Sequence, residues 1–316
     1  MNKNILRIAI IAGIIVAAIA LRWGAGFILS NKNPLKPILP QAPAAKESVV
    51  LREAKSMLEE GNRAGAVNSL DKVISDSEGS KDAYEALLLL AEIYEQDNNF
   101  TKAKGIYRSI LSNYSDYCDY SDIQKRLTSL NMAILFSKTP TPESEIYTIV
   151  PGDTLSKIAK KYSTTVDLIK KANGLDSDLI IPGMQVKVQN TPFTVIVDKS
   201  QSTLTLLLGD EVMKVYIVST GKNNSTPVGT FQIKDKLIDP VWYSNGAIVS
   251  PDSPENVLGT RWMGLNTPVP GYGIHGTIEP ESIGYQCTEG CVRLKNEEVE
   301  ELFTITPVGT QVTIID

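Results

Sequence analysis

The apolar residues of this chain do not keep one period, and no single core can serve both of the patterns they follow. Between residues 49 and 136 they recur at helical spacing with no strand-like alternation. From Pro192 onward they fall into short alternating runs, broken at turns such as Lys199-Ser200 and Gly209-Asp210. A helical stripe repeats every 3.6 residues and a strand face every two, so these regions bury their apolar faces separately. A chain of 316 residues has room for two or three domains. The expected fold is therefore multidomain: an all-α domain over 49–136, a small βααβ module over 146–189, and a mostly β domain over 192–316. In the last, only NEEVEELF reads as helix, with Val299, Leu302 and Phe303 on its apolar face.

Ahead of these domains, residues 1–29 hold Lys3 and Arg7, then an uncharged run from Ile8 to Leu21, closed by Arg22. With its apolar flank to Leu29 the run approaches the roughly 20 residues that span a bilayer. Positive charge on its N-terminal side predicts a membrane helix with everything after it outside the cytoplasm. A cleaved signal peptide, cut near Ala18-Ile19-Ala20, is the other reading, and it exports the same remainder. Both place the protein in the cell envelope, as a single-pass membrane protein or as a released one. Residues 30–48 follow as a linker. Pro34, Pro37, Pro40 and Pro43 fall on every third residue, the spacing of a stiff polyproline II stalk.

A net charge of −5 is small for this length and gives no reason to expect nucleic acid. Three cysteines are too few for a disulfide framework. The densest polar chemistry is IHGTIEPESIGYQCTEGCVRL, residues 274–294, which contains the only histidine, His275, with Cys287 and Cys291. Four readings fit those residues. A zinc site lacks a fourth ligand, and the spacing matches no common finger. A Cys287–Cys291 disulfide would close a tight loop. A buried structural histidine could sit beside inert thiols. In the fourth reading His275 serves as base to a nucleophilic thiol, since a thiol of ordinary pKa is mostly protonated at neutral pH. Gly290 would open the backbone beside the Cys291 sulfur, and the amides around Gly290 and Cys291 could face an oxyanion. Arg293 could lower the thiol pKa or hold a substrate carboxylate.

Longer motifs carry resemblances. Ala54, Ala66, Leu70 and Val73 align at an offset of 37 with Ala91, Ala103, Tyr107 and Ile110, near the roughly 34-residue period of a helical repeat. The region resembles a pair of tetratricopeptide-type repeats closed by a helix around Ile123 to Phe136, which implies a spacer or a dock for a protein partner. The stretch YTIVPGDTLSKIAKKYSTTVDLIKKANGLDSDLIIPGMQVKV, 147–188, resembles a LysM module. Asp153 or Thr154, and Thr164 or Thr165, are candidate helix caps, and Gly174 a left-handed terminus. The LysM resemblance implies binding of glycan strands such as peptidoglycan between two loops, Gly152-Asp153-Thr154 and Leu179-Ile180-Ile181-Pro182.

TPVGTF, G-x-R-W-M-G-L, Y-G-I-H-G-T and T-x-G-C-V-R-L, with a short acidic helix after them, resemble the YkuD-type L,D-transpeptidase catalytic domain across 192–316. That resemblance implies a β-sandwich or barrel-like fold and a cysteine enzyme acting on peptidoglycan stem peptides. It implies Cys291 as nucleophile, His275 as general base and acid, and the Gly276 carbonyl as the group that orients the imidazole. Gly290, Arg293, Trp262 and Tyr272 fall in the motifs expected around oxyanion and substrate. It also implies carbapenem sensitivity, and neither metal nor organic cofactor. Two positions depart from the family pattern. Glu289 stands where many members have histidine, and Cys287 is extra.

Overall fold

The computed structural model describes residues 47–244 and 246–316. The expected membrane segment lies outside the described residues, as does the stalk up to residue 46. Among the described residues no helix is long and apolar enough to cross a membrane. The chain divides into two compact units at Leu130/Asn131.

The first unit is helical: α1 (Val49–Glu59), α2 (Arg63–Asp76), α3 (Lys81–Gln96), α4 (Phe100–Asn113) and the start of α5 (Tyr120–Leu135). Each of the first four has a polar N-cap, from Ser48, Asn62, Ser80 and Asn99, whose side-chain oxygen takes an otherwise orphaned amide. Ala54, Ala66, Ala83, Ala86, Ala91 and Ala103 are all fully buried. Small side chains there let neighbouring helices approach closely, which is why the aligned alanines of the two similar stretches are the informative ones. The division falls inside α5 for a packing reason. Leu127 and Leu130 join the core of the helical unit, whereas Met132 and Leu135 are buried in the core of the next.

The second unit opens with β1 (Ser144–Thr148), α6 (Leu155–Tyr162), α7 (Val166–Asn173) and β2 (Gln185–Gln189), with β1 antiparallel to β2. Thr154 and Thr165 are the caps. Ser163 and Gly174 end the two helices in left-handed geometry. Buried Asn173 ties α7 to β2, giving hydrogen bonds to the Ile169 and Lys187 carbonyls and accepting one from the Lys187 amide. Most of the apolar face of this module forms its own core, but Leu168 is buried in the large core that follows.

The remaining strands are β3 (Phe193–Asp198), β4 (Thr203–Leu208), β5 (Glu211–Ile217), β6 (Thr220–Gly221), β7 (Gly229–Ile238), β8 (Trp242–Ser244), β9 (Ala247–Val249), β10 (Arg261–Leu265), β11 (Gly273–His275), β12 (Gln286–Thr288), β13 (Val292–Arg293) and β14 (Gln311–Ile315). Eight of them form one sheet in the order β13-β11-β10-β7-β14-β3-β4-β5. The expected mostly β, barrel-like form is met by a single sheet that curls until its ends meet. Just past β5, Ser219 exchanges both backbone hydrogen bonds with Arg293 of β13, each 2.9 Å. Among the described residues of this region the one α-helix, α8 (Asn296–Ile305), buries Val299, Leu302, Phe303 and Ile305 against the sheet. Each such side chain contributes about 2 kcal/mol by leaving water. At its far end Lys236 donates to the Phe303 and Thr306 carbonyls, satisfying groups the helix leaves open.

Candidate active site

Three short strands bring the chemistry together. β10 pairs antiparallel with β11, and β11 parallel with β13. Register sets Trp262 beside His275 and His275 beside Arg293, with Cys291 immediately before β13. Residues side by side in a parallel pair face the same way, and alternate residues along a strand share a face. His275 and Arg293 therefore face the same way, and Cys291, whose Sγ meets the Gly271 carbonyl and the Gly273 amide at the start of β11, lies two residues before Arg293. Extending the strand spacing and rise from β13 by one residue puts the Cys291 and His275 Cα atoms roughly 8 Å apart.

His275 is 3% exposed. Its Nδ1 lies 2.7 Å from the Gly276 carbonyl oxygen. A carbonyl can only accept, so Nδ1 carries the proton and the neutral ring keeps its lone pair on Nε2. The ring stacks on Trp262, with centroids 6.0 Å apart and planes 22° from parallel. Trp262 in turn donates from Nε1 to Asp235 and covers Gly273, where a Cβ would lie 2.7 Å from the indole. Burial pulls the imidazole pKa down to about 4; the Arg293 charge pushes the same way, and contacts with the Gly276 and Leu258 carbonyls resist it.

Half-buried Cys291 donates from Sγ to the Gly271 carbonyl at 3.5 Å. Among the described residues no hydrogen bond joins it to His275. Burial raises the thiol pKa, against a hydrogen bond from the Gly273 amide and the Arg293 charge, which both lower it. The expected activation by positive neighbours is thus outweighed. Both shifts run towards the uncharged forms, the thiol upward and the imidazole downward, with burial as the main cause of each.

The turn before Cys291 is held by Thr288. Its hydroxyl accepts from the Gly290 amide at 3.1 Å and donates to the Cys291 carbonyl at 2.7 Å. One amide expected at the oxyanion is thereby already engaged. Gly290 has φ +130° and sits under Tyr272, whose ring would be 2.4 Å from an added Cβ. Only glycine fits both constraints. Arg293 is also engaged: it donates to Glu279 at 3.1 Å and to the Ser282 hydroxyl at 3.0 Å, and is 8% exposed. Both bonds come from Nη1, while Nε is buried without a hydrogen-bond partner. Glu289 is on the surface, 85% exposed at its side chain and paired with Lys222 at 2.6 Å. Cys287 is exposed, and all three cysteines are free.

Sequence reasoning missed several neighbours of this site: the Gly271 and Leu258 carbonyls, the Thr288 clasp, the Glu279–Arg293 pair, and Asn296. Asn296 accepts from the Thr260 amide at 3.2 Å and the Thr277 amide at 3.0 Å. Thr288 stood inside the quoted stretch and carried a signal, a hydroxyl two residues before a glycine at a turn. The others depend on distant strands. Among the described residues no group of acidic, cysteine and histidine side chains could hold a metal ion.

In the βααβ module the Ile149 amide donates to Met184 and the Gly183 amide to Ile149, which sets the loops 150–154 and 179–183 side by side. Gly152 turns with φ +88°. Asp153 accepts from Tyr147 and the Val150 amide, shaping its loop, and Thr154 caps α6. Leu179 and Ile181 are 78% and 62% exposed, while Ile180 between them packs on the module's core. Pro182 is exposed beside them.

Comparison with known proteins follows the same divisions. Residues 192–314 match the family described as L,D-transpeptidase catalytic domain, 147–189 the LysM domain, and 85–117 a tetratricopeptide repeat. The chain is 41% identical over 126 residues to the Bacillus subtilis protein named L,D-transpeptidase YqjB, covering 39% of this chain and 70% of that one. It is 34% identical over 176 residues to the protein named L,D-transpeptidase YkuD of the same species, covering 53% of this chain and 97% of that one. Among solved structures, an L,D-transpeptidase from Mycobacterium smegmatis aligns at 20% identity and a TM-score of 0.34, over 43% of this chain and 65% of that one.

Proposed function

Because the chain belongs to the L,D-transpeptidase family, we propose that it cross-links peptidoglycan through a thioester on Cys291. The reading is supported by Cys291 standing immediately before β13, the strand parallel to that of His275, with His275 Nδ1 committed to the Gly276 carbonyl. Cys291 attacks the carbonyl of the L-centre at the third residue of a donor stem. As the C–S bond forms, the thiol proton passes to His275 Nε2. The imidazolium returns it to the amine of terminal D-alanine as that C–N bond breaks, leaving the thioester. A side-chain amine of a neighbouring stem then displaces the thiol and forms a 3→3 cross-link. Water in the same place would make an L,D-carboxypeptidase.

Burial raises the thiol and lowers the imidazole, and both directions suit a proton that moves from Cys291 to His275 as the attack proceeds. The thiol must first swing from the Gly271 carbonyl towards Nε2. The LysM module supplies glycan affinity through the two adjoining loops, with exposed Leu179 and Ile181 as apolar cover for sugar faces. An N-terminal membrane helix and a protein partner for the helical repeats complete the reading, with the catalytic domain outside the cytoplasm.

The test is mass spectrometry of tetrapeptide muropeptides after incubation with the protein and with Cys291→Ala. A dimer lacking one D-alanine, absent in the variant, supports transpeptidation. Tripeptide monomer alone assigns carboxypeptidase activity. No product from folded, reduced protein rejects catalysis and leaves a wall-binding scaffold.

A further inference from the structure

One side-chain oxygen lies between the two backbone segments that flank His275. Asn296 opens α8, yet its Oδ1 does not cap its own helix, the usual use of asparagine at a helix start. It instead accepts the Thr260 amide, in the turn just ahead of β10, the strand beside β11, and the Thr277 amide, two residues after His275. The chain is cleared around that oxygen. A Cβ on Gly259 would come within 2.3 Å of it, and one on Gly276 within 2.2 Å. Gly259 also holds φ +64°, where a side chain is strained.

The Thr277 amide and the Gly276 carbonyl belong to one peptide group, which is planar and rigid. Its N–H points at Asn296 Oδ1 and its C=O at His275 Nδ1. Fixing one end fixes the other, and donation at the N–H strengthens the carbonyl as an acceptor. Thr277 and His275 are each 3% exposed, so little water competes for either bond. Lys236 holds the opposite end of α8, so Asn296 projects from an anchored helix.

We propose that Asn296 is a positioning residue: through the Gly276–Thr277 peptide it holds the carbonyl that keeps His275 in its Nδ1–H tautomer, with Nε2 open to the thiol. This rests on the reading of His275 as the base for Cys291, but its first readout does not need turnover. His275 is the only histidine in the chain, so full-length protein labelled with nitrogen-15 in histidine alone gives one imidazole. At neutral pH the wild type should show a protonated Nδ1 and an unprotonated Nε2. Asn296→Ala should show both tautomers in exchange, and thioester formation should slow about tenfold to hundredfold with KM nearly unchanged, as for other partners that orient a functional histidine. Asn296→Asp keeps an oxygen at that place and should restore the wild-type tautomer. A folded Asn296→Ala with the wild-type nitrogen pattern would overturn the proposal. If the alanine variant does not fold, Asn296→Ser decides: its shorter hydroxyl cannot span both amides, and an undisturbed tautomer in it is equally fatal. Absence of turnover in the wild type would defeat the transpeptidase reading and leave the nitrogen spectrum still decisive for Asn296.

Discussion

Acidification should strip stability from the catalytic domain through one residue. His275 is 3% exposed, and burial brings its folded pKa down to about 4; unfolded it titrates near about 6.5. Between those values the unfolded chain binds the extra proton. The contribution is fully present above about pH 6.5 and lost as pH falls towards 4. A pKa that falls from about 6.5 to about 4 corresponds to about 3 kcal/mol, most of which is gone at pH 4.5. Carboxylates held low by partners, such as Asp153, lose stability in the same direction, so the measurement needs a control. Urea unfolding at pH 7 and pH 4.5 would be followed by Trp262 fluorescence, with the other two tryptophans, Trp23 and Trp242, replaced by phenylalanine. Trp262 stacks on His275 and reports its domain. The parent should lose about 2 kcal/mol more than His275→Gln between the two pH values. Equal losses, within about 0.5 kcal/mol, would refute the claim that His275 is held neutral by burial.

Gly290→Ala should cost about 2 kcal/mol or more, from its positive φ and the contact with Tyr272; adding Tyr272→Ala should recover only the contact, as thermal unfolding of both variants would show. Asn173→Ala leaves buried groups of Ile169 and Lys187 without their partner. It should destabilise the LysM module by about 3 kcal/mol and abolish glycan pulldown before it affects turnover on soluble muropeptides. Glu289→His should change the rate less than about fivefold, because the side chain is on the surface and its ion pair with Lys222 is solvated. A larger gain in single-turnover acylation would mean the position acts on the thiol after all.

What was legible beforehand was mostly local. Thr154, Thr165 and Gly174 mark the module's helix ends because caps are read within three or four residues. Val299, Leu302 and Phe303 marked α8 by spacing alone. The bundle's alanines stood out by repetition. Long-range geometry was not legible. The return of the sheet from β5 to β13 rests on a single Ser219–Arg293 bridge between residues 74 apart, and no local pattern announces it. Arg293 is a cation near a cysteine in sequence, but its pairing with Glu279 emerges only when the segments fold together. The Arg293 charge does lower the thiol pKa as its place in the sequence suggested, but the larger upward effect of burial was not legible, since burial belongs to the assembled site. Asn296 was hidden in a stretch whose periodicity explained it well enough as the start of a helix.

The most direct test of the account is the intact mass of the protein after brief exposure to a tetrapeptide donor with no acceptor amine, quenched in acid and followed by peptide mapping. The account predicts a transient adduct equal to the donor minus D-alanine, located on Cys291, absent in Cys291→Ala and slow to form in His275→Ala. A wild-type protein that releases D-alanine with no adduct on Cys291, or a Cys291→Ala variant that releases it at the same rate, would contradict it.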